Sequence, residues 1–158
     1  MKIAMIQPSS VINGPGLRCV IYVQGCHHHC PGCHNPGSWD KDGGREMTYE
    51  EIHKEGYLFR TFLNGITLSG GEPFDQQEEC LGLINTLPEG LDVCIYTGYT
   101  YDEIKDTELA KRADYIVDGP FMEDRRVRNW IGGSANQRMI DKKEGIIYSY
   151  DGTKTRLR

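Results

Sequence analysis

Short runs of mostly apolar residues, rich in β-branched side chains, alternate with polar stretches along the chain and predict β-strands. Each run is bounded by residues that favour turns. The five clearest runs are MKIAMIQ (1–7), LRCVIYV (17–23), GITLS (65–69), LDVCIYT (91–97) and DYIVDG (114–119). After residue 121 the pattern is weak, and only IIYSY (146–150) is predicted there, as an edge strand.

Three segments between these runs begin with the spacing of a helix capping box. Thr48 is followed three positions later by Glu51, Asp75 by Glu78, and Thr100 by Glu103. In a capping box the first side chain accepts from a free backbone N–H of the first turn, and the acid reaches back to the start of the helix. The spacing therefore predicts three helices that alternate with the strands.

Alternating strands and helices predict an α/β fold in one domain over residues 1–158. Such connections are right-handed and produce a largely parallel sheet. We expect a compact partial (β/α) barrel of mostly parallel strands, with the functional site at the carboxyl ends of the strands. The hydrophobic content of 38% and the charged content of 26% are those of an ordinary globular domain.

The sequence contains no apolar run that could span a bilayer and no apolar segment of a signal peptide near its start. We therefore predict a cytoplasmic protein with no membrane partner. A reducing compartment favours metal or redox roles for the six cysteines over disulfides. Cys19, Cys80 and Cys94 fall within predicted strands and a helix, and we predict that they are buried thiols without a catalytic role.

Charge is distributed unevenly along the chain. Residues 1–124 carry 9 Lys and Arg against 20 Asp and Glu, whereas residues 125–158 carry 9 against 3. This asymmetry predicts either a basic docking face or a solvated basic tail near the carboxyl terminus. The basic residues are not interleaved with aromatic residues as in a nucleic-acid-binding module, so no nucleic-acid partner is expected.

Three cysteines, Cys26, Cys30 and Cys33, fall within eight residues directly after the strand predicted at 17–23. Proline and glycine residues among them allow the chain to turn around a bound group. Zinc could take the three thiolates and a histidine, either His34 or one of the histidines that precede the second cysteine. An iron–sulfur cluster could take the three thiolates and leave one iron open for catalysis, and the soft thiolate ligands favour it.

A second candidate site follows the strand predicted at 65–69, where Gly70, Gly71 and Glu72 come before a proline. Glycines allow a backbone to approach a ligand closely, and a carboxylate can accept from an ammonium group. By itself this sequence is typical of an ordinary turn at the end of a strand. Its place one strand after the cysteines favours contact with a cofactor.

The spacing Cys-x3-Cys-x2-Cys on a loop after a strand resembles the cluster motif of the radical S-adenosylmethionine superfamily. A wider set of residues resembles the glycyl-radical-enzyme activases of that superfamily, in particular those that act on the anaerobic ribonucleoside-triphosphate reductase. Two positions differ from the wider pattern, because Gly32 replaces an aromatic residue and Glu72 replaces the Asp of some relatives. The matching strings are NGPG (13–16), Arg18, QGC (24–26), CPGC (30–33), Asn35, Trp39, LSGGEP (68–73), YTGY (96–99), VDG (117–119) and GSANQR (133–138).

The resemblance implies a [4Fe-4S] cluster on Cys26, Cys30 and Cys33, with S-adenosylmethionine on the fourth iron. It implies reductive cleavage of S-adenosylmethionine and abstraction of a hydrogen atom from a glycine Cα in the large subunit of the reductase. An electron donor such as flavodoxin or ferredoxin is a further implied partner. The cofactor contacts expected from the resemblance are Gly32, Cys33, His34, Gly70, Gly71, Glu72, Asp118 and Asn136.

Some alternatives stay open at this point. Asp118 could contact a ribose hydroxyl or only stabilise a turn. A radical enzyme that acts on a small molecule, such as a carboxy-deazaguanine synthase, has a similar cluster loop but needs no reductase, and the string GSANQR at 133–138 favours the reductase activases over it. A non-catalytic zinc module would use His34 as the fourth ligand.

Overall fold

A mixed sheet of nine strands runs through the computed structural model, which describes residues 1–158. The spatial order of the strands is β3-β1-β2-β4-β5-β6-β7-β8-β9. Four short α-helices and three 3-10 turns, at Pro36–Ser38, Pro73–Gln76 and Glu123–Arg125, connect the strands. The strands are β1 Lys2–Ser10, β2 Arg18–Val23, β3 Arg45–Glu46, β4 Gly65–Gly70, β5 Asp92–Tyr96, β6 Tyr115–Asp118, β7 Arg138–Asp141, β8 Ile146–Tyr148 and β9 Lys154–Arg156. The helices are α1 Tyr49–Glu55, α2 Gln77–Asn85, α3 Tyr101–Ile104 and α4 Glu108–Arg112.

The expected α/β class is confirmed, but the parallel part of the sheet is smaller than predicted. Only the pairs β2–β4, β4–β5 and β5–β6 are parallel. The outer pairs are antiparallel, because β1 returns directly into β2 as a hairpin and β7, β8 and β9 form a meander. The sheet does not close into a ring, and barrel-like curvature remains a prediction. None of the helices is long and apolar enough to cross a membrane.

The strands predicted from the apolar runs are present, and their buried side chains pack with those of the helices into one core. The edge position predicted for the run at 146–150 is wrong, because β8 pairs with β7 on one side and with β9 on the other. Cys19, Cys80 and Cys94 belong to the buried residues, so their predicted burial is confirmed. Burial raises the pKa of each of these thiols to about 12. Strands β3, β7 and β9 were not predicted, since none of them carries a long run of β-branched residues.

Two of the three predicted capping boxes are confirmed. Thr48 Oγ1 accepts from Glu51 N at 3.2 Å, while Glu51 Oε2 accepts from Thr48 N at 2.8 Å. Thr100 and Glu103 form the second box at the start of α3, where Glu103 Oε2 accepts from Thr100 N at 2.7 Å. These pairs satisfy backbone donors that the first helical turn leaves free.

The capping box predicted at Asp75 is wrong. Asp75 lies within the 3-10 turn, and α2 begins two residues later without a side-chain cap. One carboxylate oxygen of Asp75 lies 2.7 Å from His27 Nδ1, and the other accepts from the Tyr99 hydroxyl at 3.3 Å. Partners from distant parts of the chain have therefore replaced the local backbone donor.

A buried cation holds the turn at 13–16 against the sheet. Arg18 is fully buried at the start of β2 and forms an ion pair with Asp92, with Nη2 and Oδ1 2.5 Å apart. Asp92 Oδ1 accepts no hydrogen bond, so its contact with the Arg18 guanidinium is an ion pair only. Arg18 also donates to Pro15 O at 2.7 Å and to Thr67 Oγ1 at 2.9 Å, and the Thr67 hydroxyl donates to Asn13 O at 2.6 Å. Asn13 thereby reaches the wall of the cavity described next.

Candidate functional site

A cavity of about 420 Å³ lies at the carboxyl ends of the parallel strands. This is the end of an α/β sheet at which sites are expected, because the loops after neighbouring parallel strands meet there. The three candidate cysteines, Cys26, Cys30 and Cys33, all line the cavity, and so do His34, Gly70, Gly71 and Glu72. The structure therefore brings together seven of the residues selected from the sequence.

The cysteine loop is attached to the segment that follows it by backbone hydrogen bonds. Gly25 N donates to Ser38 O at 2.7 Å, and Cys26 N donates to Trp39 O at 3.1 Å. Within the loop, Cys33 Sγ accepts from Asn35 N at 3.3 Å. Hydrogen bonds to the cysteine sulfurs are one means by which a protein adjusts an iron–sulfur cluster.

Burial raises the pKa of the Cys26 thiol, while the backbone N–H groups of His28 and His29 act in the opposite direction. These N–H groups are available because the loop turns instead of forming a regular element; His29 has a positive φ of 45°. The loop conformation therefore presents backbone donors to a sulfur that burial alone would keep protonated.

The geometry of the cysteines suits a cluster better than a single ion. Zinc needs all its ligands at about 2.0–2.3 Å from one atom, and no group of three or more His, Cys, Asp or Glu side chains has such an arrangement. His34, the proposed fourth zinc ligand, packs against Phe121 with ring centroids 5.0 Å apart. In an iron–sulfur cluster each thiolate binds a different iron, so three cysteines that line one cavity are compatible with it.

Trp39 gives a second indication that the residues present fit an iron–sulfur cluster. It lines the same cavity as the three cysteines, and its buried indole Nε1–H has no hydrogen-bond acceptor in the protein. An unmade hydrogen bond of a buried donor costs about 1–3 kcal/mol. The sulfurs of a cluster accept hydrogen bonds from their surroundings, and a bound cluster would supply the missing acceptor.

Glu72 joins three loops at the cavity. Its side chain is 1% exposed, and one carboxylate oxygen accepts from Phe74 N at 3.0 Å and from Thr97 Oγ1 at 2.8 Å. The other oxygen accepts from Gly98 N at 2.9 Å and lies 2.9 Å from His28 Nε2. The hydrogen bond to Glu72 is the main cause that raises the pKa of His28. The carboxylate therefore connects the ends of β4 and β5 with the cysteine loop.

Gly70 and Gly71 are required by the packing of one backbone on another. A Cβ on Gly71 would lie 2.2 Å from Gly25 O, and a Cβ on Gly70, whose φ is +94°, would lie 2.7 Å from Tyr22 Cα. This close approach allows Gly71 N to donate to Val23 O at 2.7 Å and Glu72 N to donate to Gly25 O at 2.8 Å. The two glycines therefore bring the loop after β4 against the cysteine loop as well as lining the cavity.

Three residues expected at the cofactor, Gly32, Asp118 and Asn136, are not part of the cavity wall. Asp118 is 1% exposed, forms an ion pair with Arg138 and accepts from Tyr101 N at 2.7 Å. These contacts favour the structural alternative for Asp118. Gly32 has a positive φ of 71°, and the Asn136 amide donates to Pro120 O at 2.7 Å. A ligand role for these three residues stays a prediction.

The loop at 126–134 forms a wall of the cavity that the sequence did not predict. Val127, Trp130 and Ile131 line the cavity from this loop. Gln137 connects the loop to the sheet, since its Oε1 accepts from Gly133 N at 2.7 Å and its Nε2 donates to Gly119 O at 2.9 Å. In the sequence, the string at 133–138 was the available signal for this wall. The contacts by which Gln137 holds the loop join residues that no local pattern connects.

Comparison with known proteins agrees with this geometry. The family model described as 4Fe-4S single cluster domain matches residues 12–140. The anaerobic ribonucleoside-triphosphate reductase-activating protein of Enterobacteria phage T4 is 33% identical over 153 residues, which cover 92% of this chain and 97% of that protein. The protein of the same name from Escherichia coli K12 is 34% identical over 141 residues, which cover 82% of this chain and 92% of that protein.

A longer relative also matches. The pyruvate formate-lyase 1-activating enzyme of Escherichia coli K12 is 34% identical over 149 residues, which cover 89% of this chain but 60% of that enzyme. The similarity to the reductase-activating proteins, in contrast, extends over almost the whole of both chains. The chain therefore belongs to the 4Fe-4S single cluster domain family and, within it, to the anaerobic ribonucleoside-triphosphate reductase-activating proteins.

Proposed function

We propose that this chain is a radical S-adenosylmethionine activase that generates a glycyl radical on the large subunit of the anaerobic ribonucleoside-triphosphate reductase. The observation that carries the proposal is the meeting of Cys26, Cys30 and Cys33 at one cavity at the carboxyl ends of the parallel strands. The near full-length similarity to reductase-activating proteins supports the choice of partner. A flavodoxin or ferredoxin is the proposed electron donor.

When bound, the [4Fe-4S] cluster and S-adenosylmethionine supply one-electron cleavage of the sulfonium and removal of a hydrogen atom from the target glycine Cα. The protein contributes binding, orientation and exclusion of water. Cys26, Cys30 and Cys33 would hold the cluster. The buried Trp39 Nε1–H, which has no acceptor in the protein, would be available to donate to it. Val127, Trp130 and Ile131 of the loop at 126–134 line the same cavity and would help to exclude water.

Glu72 is the proposed acceptor for the ammonium group of S-adenosylmethionine. Each of its two oxygens already has two donors, so an incoming ammonium group has to replace one of these four donors. His28 is the donor that can leave, because Phe74 and Gly98 donate through backbone N–H groups, and the buried Thr97 hydroxyl is itself held by accepting from Tyr99 N at 3.1 Å. His28, in contrast, donates from the tip of a side chain on the cysteine loop.

The experiment that tests the proposal compares Cys30→Ala with the native chain after anaerobic reconstitution with iron and sulfide. The variant is expected to lose the visible absorption of the cluster, because one iron loses its thiolate. It is also expected to lose methionine release and the glycyl-radical doublet that the native chain produces on the reductase, measured by electron paramagnetic resonance. Cys80→Ala, a buried cysteine outside the cavity, serves as the matched control and should retain all three signals.

Two outcomes would contradict the proposal. Methionine release by Cys30→Ala at the native rate would show that the three-cysteine cluster is not required. Methionine release by the native chain without any radical on the reductase would reject the activase function and favour a small-molecule substrate.

A further inference from the structure

Alternate side chains of the cavity loop point in different directions. Val127 lines the cavity, whereas its neighbours Arg126 and Arg128 are exposed. Antiparallel contacts hold the loop in this arrangement, since Arg126 pairs with Ser134 as an isolated bridge and Val127 N donates to Gly133 O at 3.2 Å. One side of the loop is therefore part of the cavity wall, and the other side faces solvent beside it.

Three arginines on the solvent side of this segment have no acidic partner. We call the side chains of these residues, Arg125, Arg126 and Arg128, the arginine face. They form no salt bridge or hydrogen bond within the chain. Arg126 Cζ lies 5.7 Å from the centre of the Phe121 ring. Of the two acidic residues just before this segment, Glu123 lies beside the cysteine loop, since a Cβ on Gly32 would lie 2.6 Å from its carboxylate carbon, and Asp124 is exposed and forms no salt bridge.

The arginine face stands out because the part of the chain that precedes it is acidic. Residues 1–124 carry a net charge of −11, from 9 Lys and Arg against 20 Asp and Glu. The net charge of these residues repels an acidic partner segment, whereas the arginine face attracts it beside the cavity, so the charge pattern favours one orientation. Guanidinium groups also suit this partner, because they bind carboxylates through two parallel hydrogen bonds.

We propose that the arginine face docks an acidic stretch of the partner polypeptide that lies next to the glycine entering the cavity. The proposal rests on the proposed function, since it takes the reductase as the partner. Val127 and Trp130 contact the part of the partner segment inside the cavity, and the arginines bind its flank outside. Docking through exposed charges acts mainly on the association rate and on its dependence on salt.

The test compares two variants, one that lacks three charges of the arginine face and one that lacks three charges elsewhere on the surface. Arg125→Gln, Arg126→Gln and Arg128→Gln are combined in one variant of the full chain, loaded with its cluster. Lys54→Gln, Arg156→Gln and Arg158→Gln form the matched control, because these exposed residues also form no salt bridge and do not line the cavity. The affinity of each protein for the native reductase is measured anaerobically at low and high salt, with poly-L-glutamate as a competitor.

We expect the arginine variant to bind the reductase about tenfold more weakly at low salt, with the control close to the native chain. The difference should shrink as salt rises, because the screening length falls from about 10 Å at 0.1 M to about 3 Å at 1 M. Poly-L-glutamate should weaken binding of the native chain and leave binding of the arginine variant unaffected.

Other results would overturn the inference. Equal affinity and equal salt dependence of the arginine variant and the native chain would show that the arginine face does not dock the reductase. Loss of reductase-independent methionine release in the arginine variant would place these arginines at the cofactor instead. If the native chain neither binds nor activates the reductase, the proposed function itself is rejected, so the two failures are distinguishable.

Discussion

At the scale of single residues, His53 on α1 is a buried histidine outside the site. It is 4% exposed, and its Nε2 lies 2.8 Å from Thr86 Oγ1. The Thr86 hydroxyl donates to Leu83 O at 2.7 Å, so its oxygen accepts from His53 Nε2–H. The other ring nitrogen, Nδ1, is buried without a partner. Burial lowers the pKa of His53 from its usual value of 6.5, because a proton on Nδ1 would place an unsatisfied charge inside the protein.

We predict that His53 makes the fold less stable in mild acid. The unfolded chain binds the proton more readily than the folded chain, so the free energy of unfolding is highest above pH 6.5 and falls as the pH drops through 6.5 toward the lowered pKa. His53→Gln retains a donor for Thr86 but cannot titrate. Urea denaturation of both proteins at about pH 7.5 and about pH 5.5 measures the difference. An equal loss of stability in the two proteins would contradict the prediction.

At the scale of elements, the helices are short and depend on their amino-terminal caps. The longest helix, α2, has nine residues, and α3 has only four. Isolated helices of this length are unstable in water, since few backbone hydrogen bonds offset the cost of nucleation. The side chains of Thr48 and Thr107 accept from backbone donors of the first turn in two of the four helices, and in α3 Glu103 accepts from Thr100 N.

We expect Thr48→Ala to lower the free energy of unfolding by about 1 kcal/mol, because α1 loses the acceptor for Glu51 N. Thr61→Ala is the matched control, since Thr61 is exposed in a loop and should change stability by less than about 0.5 kcal/mol. Chemical denaturation with a common slope measures both values. A change in Thr48→Ala no larger than that in the control would mean that the cap contributes nothing to the fold.

At the scale of the whole molecule, the site depends on contact between loops that leave neighbouring parallel strands. The β2–β4 pairing extends from Arg18 and Gly65 to Val23 and Gly70, so the two strands end side by side. Beyond them, Gly71 packs on Gly25 with room for no side chain. The cysteine loop and the loop of Glu72 therefore form one unit.

We predict that Gly71→Ala disrupts cluster binding more than it disrupts the fold. The added methyl group would lie 2.2 Å from Gly25 O, and the cysteine loop has to move away to admit it. Overpacking of this kind costs about 1–3 kcal/mol. Gly37→Ala is the control, because a Cβ there meets nothing within 4 Å. Iron bound per chain after reconstitution is expected to fall only in Gly71→Ala, and native iron content in that variant would refute the prediction.

Local patterns were sufficient where neighbours in the sequence determine the structure. Runs of β-branched residues predicted the central strands because such side chains pack well on a pleated surface. The spacing of Thr48 and Glu51 predicted a cap because both partners lie within one helical turn. The cysteine spacing was equally local, and it predicted a metal centre without deciding between zinc and an iron–sulfur cluster.

Contacts between distant residues account for what the sequence did not predict. Asp75 has the spacing of a cap but contacts His27, which is 48 residues away. Asp118, for which a cofactor contact stays a prediction, has its carboxylate held by Arg138, 20 residues away. In both cases a tertiary partner competes with the local or ligand contact, and its identity depends on how the chain folds.

By itself, the amino-acid sequence determined the α/β class, the central strands, two capped helices and the three cysteines, because each depends on side chains close together along the chain. Only the tertiary structure decided the antiparallel edges of the sheet, the joining of Glu72 to the cysteine loop, and the cavity wall at 126–134. These features depend on how the strands align and which surfaces pack together. Backbone groups and carboxylates need hydrogen-bond partners, and packing decides which partners lie within reach.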